Sequence, residues 1–329
     1  MKIPWRGLIA LALTVFLLWW AFHDVKWTEL WRDVRMANPA LIVVGVIVAT
    51  MVFPLRALRW RPILDPIVPR LPFGPLWRAT AVGFMANNLL PSGRAGEFVR
   101  PYMLSRETPV PVAAAFASLV VDRVFDALAV LLLIAAAMLD PKFPSGVSAT
   151  TFASITVIIV IGLAVTLYAI VFFPDRLIQL FELFARRVAP QFEERGRVLL
   201  RSFADGLSVL RQPRRFLVVF AWAMSMWLTQ AVAFWIMFRA FGIGASFSAA
   251  LVVQGLIVLS VVAPTTPGFF GPFEAAAKAG LALYGVNEHL ALAWALTFHV
   301  LTLIPITVIG LYYLARSGLH LGELRRLKT

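Results

Sequence analysis

Ionisable side chains that interrupt long apolar stretches mark the places where this sequence could do chemistry, because a charge away from water is costly unless it is paired or used. The first such group lies in NNLLPSGRAGEFVRPYMLSR, residues 87–106, which holds Asn87, Asn88, Arg94, Glu97 and Arg100. Arg94 and Arg100 offer planar, permanently charged forks that match a phosphate, and Glu97 is placed to orient an arginine or to carry a proton. Pro91, Gly93 and Gly96 supply a turn, and the two asparagine amides can satisfy the backbone groups it frees. The second group lies in APTTPGFFGPFEAAAKAG, residues 263–280, and repeats that grammar: a proline beside hydroxyl residues, two glycines, then Glu274 opening a second arm. Thr265 and Thr266 either hydrogen-bond a headgroup or cap a half-helix whose N-terminus favours anions. The third is Asp122, Arg123 and Asp126 inside an apolar run. Arg123 and Asp126, three residues apart, can pair on one helix face, which leaves open a structural ion pair or an exchange of Arg123 with a bound phosphate.

Other chemistries find little support. The chain has no cysteine, which removes disulfides, thiolate metal sites and cysteine nucleophiles. Its histidines, His23, His289, His299 and His320, include no two within a helical turn, so no metal site is expected. No nucleophile elbow, zinc-protease motif or phosphate-binding loop is found. No catalytic residue, metal or cofactor is therefore expected.

The elements that must position these groups are membrane helices. Of the 329 residues, 60% are hydrophobic and only 14% charged, against roughly 45 to 50% and 25% in soluble proteins. Six runs are apolar and long enough to cross a bilayer: residues 8–22, 40–55, 110–138, 151–173, 216–241 and 288–314. Two further regions, 76–106 and 246–284, are interrupted by Pro, Gly and polar residues. The net charge of +13 comes mostly from arginine, and the anionic cytoplasmic leaflet accounts for it without nucleic acid. With the N-terminus cytoplasmic and each broken region entering and leaving on one side, 23 basic residues face the cytoplasm and 6 the other side. The expected fold is thus an all-α polytopic membrane protein with about six full spans. Its two re-entrant helical hairpins point at each other, and the halves, roughly 1–140 and 150–315 of a single domain covering 1–329, form an inverted repeat. Pro62, Pro66, Pro69, Pro72 and Pro75 read as a stiff loop, and residues 175–211 as interfacial helices on the cytoplasmic leaflet.

Residues 87–97 with Arg100, followed by Val121, Asp122, Arg123, Val124, Phe125 and Asp126, resemble the lysylphosphatidylglycerol synthase transmembrane family. The segment with Pro267, Gly268 and Glu274 is similar to that family's second signature, and Asp122 stands where the family often has Glu. The resemblance implies a protein that moves lipids between leaflets, with members linked to aminoacylated phosphatidylglycerol, hopanoids or polyprenyl-linked glycolipids. It implies no lysyltransferase, an activity that the bifunctional members carry in a soluble C-terminal domain. The expectation is therefore a flippase or lipid transporter in a bacterial inner membrane, both termini cytoplasmic, with a polar midplane cavity. Its substrate-binding set would be Asn87, Asn88, Arg94, Glu97, Arg100, Asp122, Arg123, Asp126, Thr265, Thr266 and Glu274. Expected partners are membrane lipids with an anionic headgroup, with a second copy of the chain and lipid-synthesis enzymes as further candidates. A non-transporting scaffold for lipid or envelope enzymes is the competing expectation.

Overall fold

The computed structural model describes residues 27–90, 94–144, 212–261 and 266–317, with isolated positions between 154 and 183. Among these it contains nine α-helices, one 3-10 turn and no strand. In chain order they are α1 Trp27–Met36, α2 Pro39–Leu64, α3 Phe73–Leu89, α4 Gly96–Glu107, α5 Val112–Ala137, α6 Pro213–Ala240, α7 Phe247–Ser260, the turn Pro267–Phe269, α8 Pro272–Ala282 and α9 Glu288–Arg316. The expected spans at 8–22 and 151–173 and the segment 175–211 fall largely or wholly outside the described residues.

Three of these helices, α2, α6 and α9, are long and apolar enough to cross a membrane. At 26 to 29 residues each is about 39 to 44 Å long, more than a hydrocarbon core of about 30 Å. Helix α5 also has 26 residues but carries Asp122, Arg123 and Asp126 through its middle. Helix α2 starts on Asn38, whose side chain accepts from the Ala40 and Leu41 N–H groups at 3.0 and 3.2 Å, with Pro39 at the first helical position, where its missing N–H costs nothing.

The helix does not stop at residue 55 as the apolar run suggested. It continues through Pro54 and Pro62 to Leu64, and the expected proline-rich loop shrinks to residues 65–72, with Pro75 inside α3. Proline inside a membrane helix is tolerated where neighbouring segments satisfy the freed backbone. Helix α6 runs antiparallel beside α2, joined by the Asn38 N–H donating to the Ala240 carbonyl at 2.8 Å. The extension carries Arg56 and Arg59 into the packed interior.

Both broken regions fold as helix, break, helix. In the first, α3 and α4 pack so closely that a Cβ on Gly96 would run into the Gly83 carbonyl, and Asn87 Oδ1 accepts from the Gly96 N–H at 2.7 Å. In the second, Gly268 and Gly271 adopt φ of +63° and +95°, conformations open to glycine and strained for other residues.

The two breaks meet against the middle of α9. Asn88 Nδ2 donates to Thr307 Oγ1 at 2.8 Å, Gly268 lies beside Leu303, and the Phe270 ring stacks on His299 with centroids 4.6 Å apart. They also touch each other, since Arg94 Nη2 donates to the Val261 carbonyl at 2.9 Å. Two apolar cores flank this level, one around Trp60, Leu64, Met85 and Phe125, the other around Phe234, Phe238, Trp294 and Phe298. The Phe234 and Phe298 rings pack edge to face at 4.7 Å, a geometry aromatic pairs prefer.

Gly96→Ala should destabilise the protein by about 1 to 3 kcal/mol through overpacking, seen as a lower thermal midpoint in detergent. Gly244→Ala, facing open space, should leave the midpoint unchanged.

Candidate functional site

Arg56 and Arg59 sit three residues apart on α2, Asp122 and Asp126 four apart on α5, so each pair lies on one helix face. Packing of α2, α4, α5 and α6 brings them together with Arg100 and two tryptophans. Arg59 reaches both carboxylates, with Nη1 2.7 Å from Asp126 Oδ1 and Nη2 2.7 Å from Asp122 Oδ1. Arg56 Nη1 donates to Asp126 Oδ2 at 3.1 Å, and Arg100 Nη1 to Asp122 Oδ2 at 3.3 Å. Trp227 Nε1 donates to Asp126 Oδ1 at 2.9 Å. The Arg100 guanidinium lies 3.9 Å over the Trp60 ring, whose indole N–H is in turn held by Ser118 Oγ at 2.7 Å.

Burial makes this arrangement consequential. Arg59 and Asp122 are 0% and 1% exposed, and Arg56, Arg100 and Asp126 are buried too. Three guanidinium groups against two carboxylates leave one excess positive charge. Among the described residues the Arg56 Nε and the Arg100 Nε and Nη2 groups are buried without a hydrogen-bond partner. Unpaired buried donors of a cation are costly, and an anion that accepted from them would remove both the excess charge and the missing bonds.

The buried set opens onto a polar rim. Arg123, 54% exposed, contacts Asp126 Oδ2 at 3.5 Å and Glu97 Oε1 at 3.3 Å. Glu97 in turn lies 3.8 Å from Arg94 Nη1, and Arg94 reaches the second break through the Val261 carbonyl. A continuous chain of opposite charges therefore runs from the contact between the two breaks to the buried arginines.

The expected site residues divide by this geometry. Arg94, Glu97 and Arg123 form the rim, and Arg100, Asp122 and Asp126 the interior. Arg123 and Asp126 do pair, but Arg59 holds Asp126 more closely. Arg100 gives one nitrogen to Asp122, while its Nε and Nη2 stay without a partner. Asn87 and Asn88 tie backbone and helix α9 together as described. Thr266 Oγ1 donates to the Phe270 carbonyl at 2.6 Å, so it braces the turn and does not present its hydroxyl to a headgroup. Thr265 lies outside the described residues. Glu274 is fully buried, accepts from the Gly271 N–H at 2.6 Å, and faces His299 Nδ1 at 2.6 Å.

Sequence reasoning missed Arg56, Arg59, Trp60, Trp227 and His299. Two carboxylates four residues apart in an apolar helix did signal that cations must come from elsewhere, and Arg56 and Arg59 directly follow an apolar run. The apolar run ends at residue 55, so by sequence Arg56 and Arg59 count with the basic residues of the cytoplasmic side.

Asp126→Asn should remove one of the two buried carboxylate charges facing Arg56 and Arg59 and cost about 3 to 5 kcal/mol. Arg123→Ala removes a mostly exposed contact worth at most about 1 kcal/mol. Thermal unfolding of both variants in detergent would check this ordering.

A family model described as the lysylphosphatidylglycerol synthase TM region matches residues 7–310. Among curated proteins, two described as UPF0104 membrane proteins from Methanothermobacter thermautotrophicus are similar nearly end to end. One is 24% identical over 321 residues, covering 92% of this chain and 90% of its own length, and the other 25% identical over 311 residues, covering 90% of each. Part of the glycosyltransferase AglD of Haloferax volcanii is 36% identical over 94 residues, 29% of this chain and 15% of that protein.

Proposed function

The chain belongs to the lysylphosphatidylglycerol synthase transmembrane-region family, and within it we propose that it carries a lipid with an anionic headgroup between the leaflets of the cytoplasmic membrane. The observation that carries this reading is the buried arginine set, with one excess positive charge and unpartnered guanidinium N–H groups. Asp126 is the fifteenth of the 26 residues of α5 and Trp227 the fifteenth of the 28 of α6, so the cluster sits about halfway along both helices. A headgroup phosphate arriving there meets a positive site without leaving the protein, while the acyl chains stay in lipid.

The rim supplies the route. A phosphate oxygen can take the place of Glu97 on Arg123 or Arg94, then that of an aspartate on the interior arginines, so that one anion replaces another and no bare charge is exposed to hydrocarbon. Trp60 keeps the Arg100 guanidinium oriented through cation–π contact, and Trp227 holds the Asp126 carboxylate to which Arg56 and Arg59 donate. In this reading α3 with α4 and α7 with α8 are re-entrant hairpins entering from opposite faces, with both termini cytoplasmic and the halves inverted. The meeting of the two breaks at mid-α9 and the Arg94 contact to Val261 support it.

A scaffold without transport is the second reading, favoured by the partial likeness to a glycosyltransferase, which would place the chain beside a sugar-transferring enzyme. Reconstitution of the purified protein and measurement of leaflet exchange for a panel of fluorescent lipids separates the two. Arg94→Ala and Glu97→Gln should each slow exchange at least about tenfold, the loss of one charge-assisted hydrogen bond of about 1.5 to 3 kcal/mol. Unchanged exchange in folded variants, or none for any lipid with wild-type protein, would favour the scaffold.

A further inference from the structure

The charge chain does not use Glu274, at the second break, or His299, which faces it from α9. Glu274 is 0% exposed and His299 5%, and their polar atoms face each other at 2.6 Å. The imidazole is clasped between Phe270 and Phe273, with ring centroids 4.6 and 4.1 Å away. The other carboxylate oxygen, Oε2, holds the Gly271 N–H at 2.6 Å. Among the described residues His299 Nε2 has no hydrogen-bond partner.

Among the described residues no third charge is in contact with the pair. On α8 itself Lys278 turns to Glu288. Helix α7 carries no ionisable residue. On α3 the one charge, Arg78, binds Glu107 at the far end, and on α6 Arg239 lies over Trp235 near the C-terminus. The α2 arginines Arg56 and Arg59 are engaged with Asp122 and Asp126, with Arg61 a turn beyond. On α1 Glu29 faces His289, ten residues before His299 on α9, and Arg32, Asp33 and Arg35 share that short helix.

Glu274 and His299 share one hydrogen bond, so protons are counted on the pair. With the neutral ring donating Nδ1–H to the carboxylate, the pair carries one negative charge. A proton arriving on Nε2 makes an imidazolium facing a carboxylate, neutral overall. A lone carboxylate in an apolar bundle is the costly state, and the atom that bears it is bonded directly to the break.

We propose that Glu274 and His299 form a proton-binding site whose occupancy sets the shape of the second break, so that the chain takes a proton as a second ligand. Its part in moving lipid rests on the transport reading; proton binding itself does not. The signal passes from Glu274 Oε2 to Gly271 at φ +95°, and from the histidine ring through Phe270, whose carbonyl is tied to Thr266. Val261, at the end of α7, is held by Arg94 at the rim of the arginine site.

The absence of cysteine allows a spin-label pair at Leu89→Cys and Leu259→Cys, two exposed positions at the ends of the first arms, to report the distance between the breaks. In the same full-length chain, His23→Gln, His289→Gln and His320→Gln leave His299 the sole histidine, its ring read by 15N resonance in nanodiscs from about pH 5 to about pH 9. Ring resonances and label distance should shift together across that range, and the distance shift should vanish in His299→Gln and in Glu274→Gln. Resonances that stay fixed, or a distance shift that persists in folded His299→Gln, would overturn the proposal; if neither variant folds, the sole-histidine sample decides by whether ring and distance move together. Lipid exchange on these samples should depend on pH in the parent and lose that dependence in His299→Gln. Exchange absent throughout would overturn the transport reading alone, and the proton site would then stand or fall on the spectra and distances.

Discussion

Asp122 and Asp126 cannot ionise inside an apolar bundle unless cations from other helices reach them, and that requirement organises the protein around them. Arg56 and Arg59 come from α2, Arg100 from α4 and the indole N–H of Trp227 from α6, so four elements distant in sequence are held at one level. Apolar surface alone would allow these helices to slide or rotate, since hydrocarbon solvates leucine as well as leucine does. A guanidinium set between two carboxylates, as Arg59 is, opposes both. The same set is imperfectly balanced, three cations against two anions, and a purely structural network would gain by being neutral.

The breaks answer a second constraint, that every amide away from water finds a partner. Side chains in and beside the breaks do this work at both. Asn87 reaches forward to the Gly96 N–H, and Thr266 and Glu274 close the second turn on the Phe270 carbonyl and the Gly271 N–H. Small residues let these backbones approach: Gly83 against Gly96, and Gly310 against Met85 and the Ala81 carbonyl.

Much of this was legible in the sequence. Apolar runs identified α2, α5, α6 and α9, and the Pro and Gly interruptions identified both broken regions, because a helix in hydrocarbon leaves a long unbroken pattern. Asp122, Asp126 and Arg100 stood out as candidates by being charged in apolar company, and the structure brings them together. Arg56 and Arg59 were not, because Pro54 and Pro62 argue locally for a helix end, and only the neighbouring helices that pack on α2 overrule them. His299 was hidden differently. A lone histidine in an apolar run is ordinary, and nothing in the spacing tells that residue 274, twenty-five positions away, folds back onto it. Thr266 and Asn87 were read as either binding or bracing, and the choice depended on backbone atoms that exist only once the turn has formed.

The two breaks solve the same problem with different chemistry, and the difference has a functional consequence. In the first the amide is held by Asn87, a neutral group whose hydrogen bond is indifferent to charge nearby, so the arm bearing Arg94, Glu97 and Arg100 stays anchored while its ionic partners change. In the second it is held by Glu274, whose grip depends on its own charge and on the ring of His299. A fixed break beside an anion site and an adjustable one touching it through Arg94 and Val261 form an asymmetric pair. In such a pair a change at the adjustable side alters the setting of Arg94, and through Glu97 that of Arg123. Two identical neutral anchors would give the same fold with no means of passing that change on.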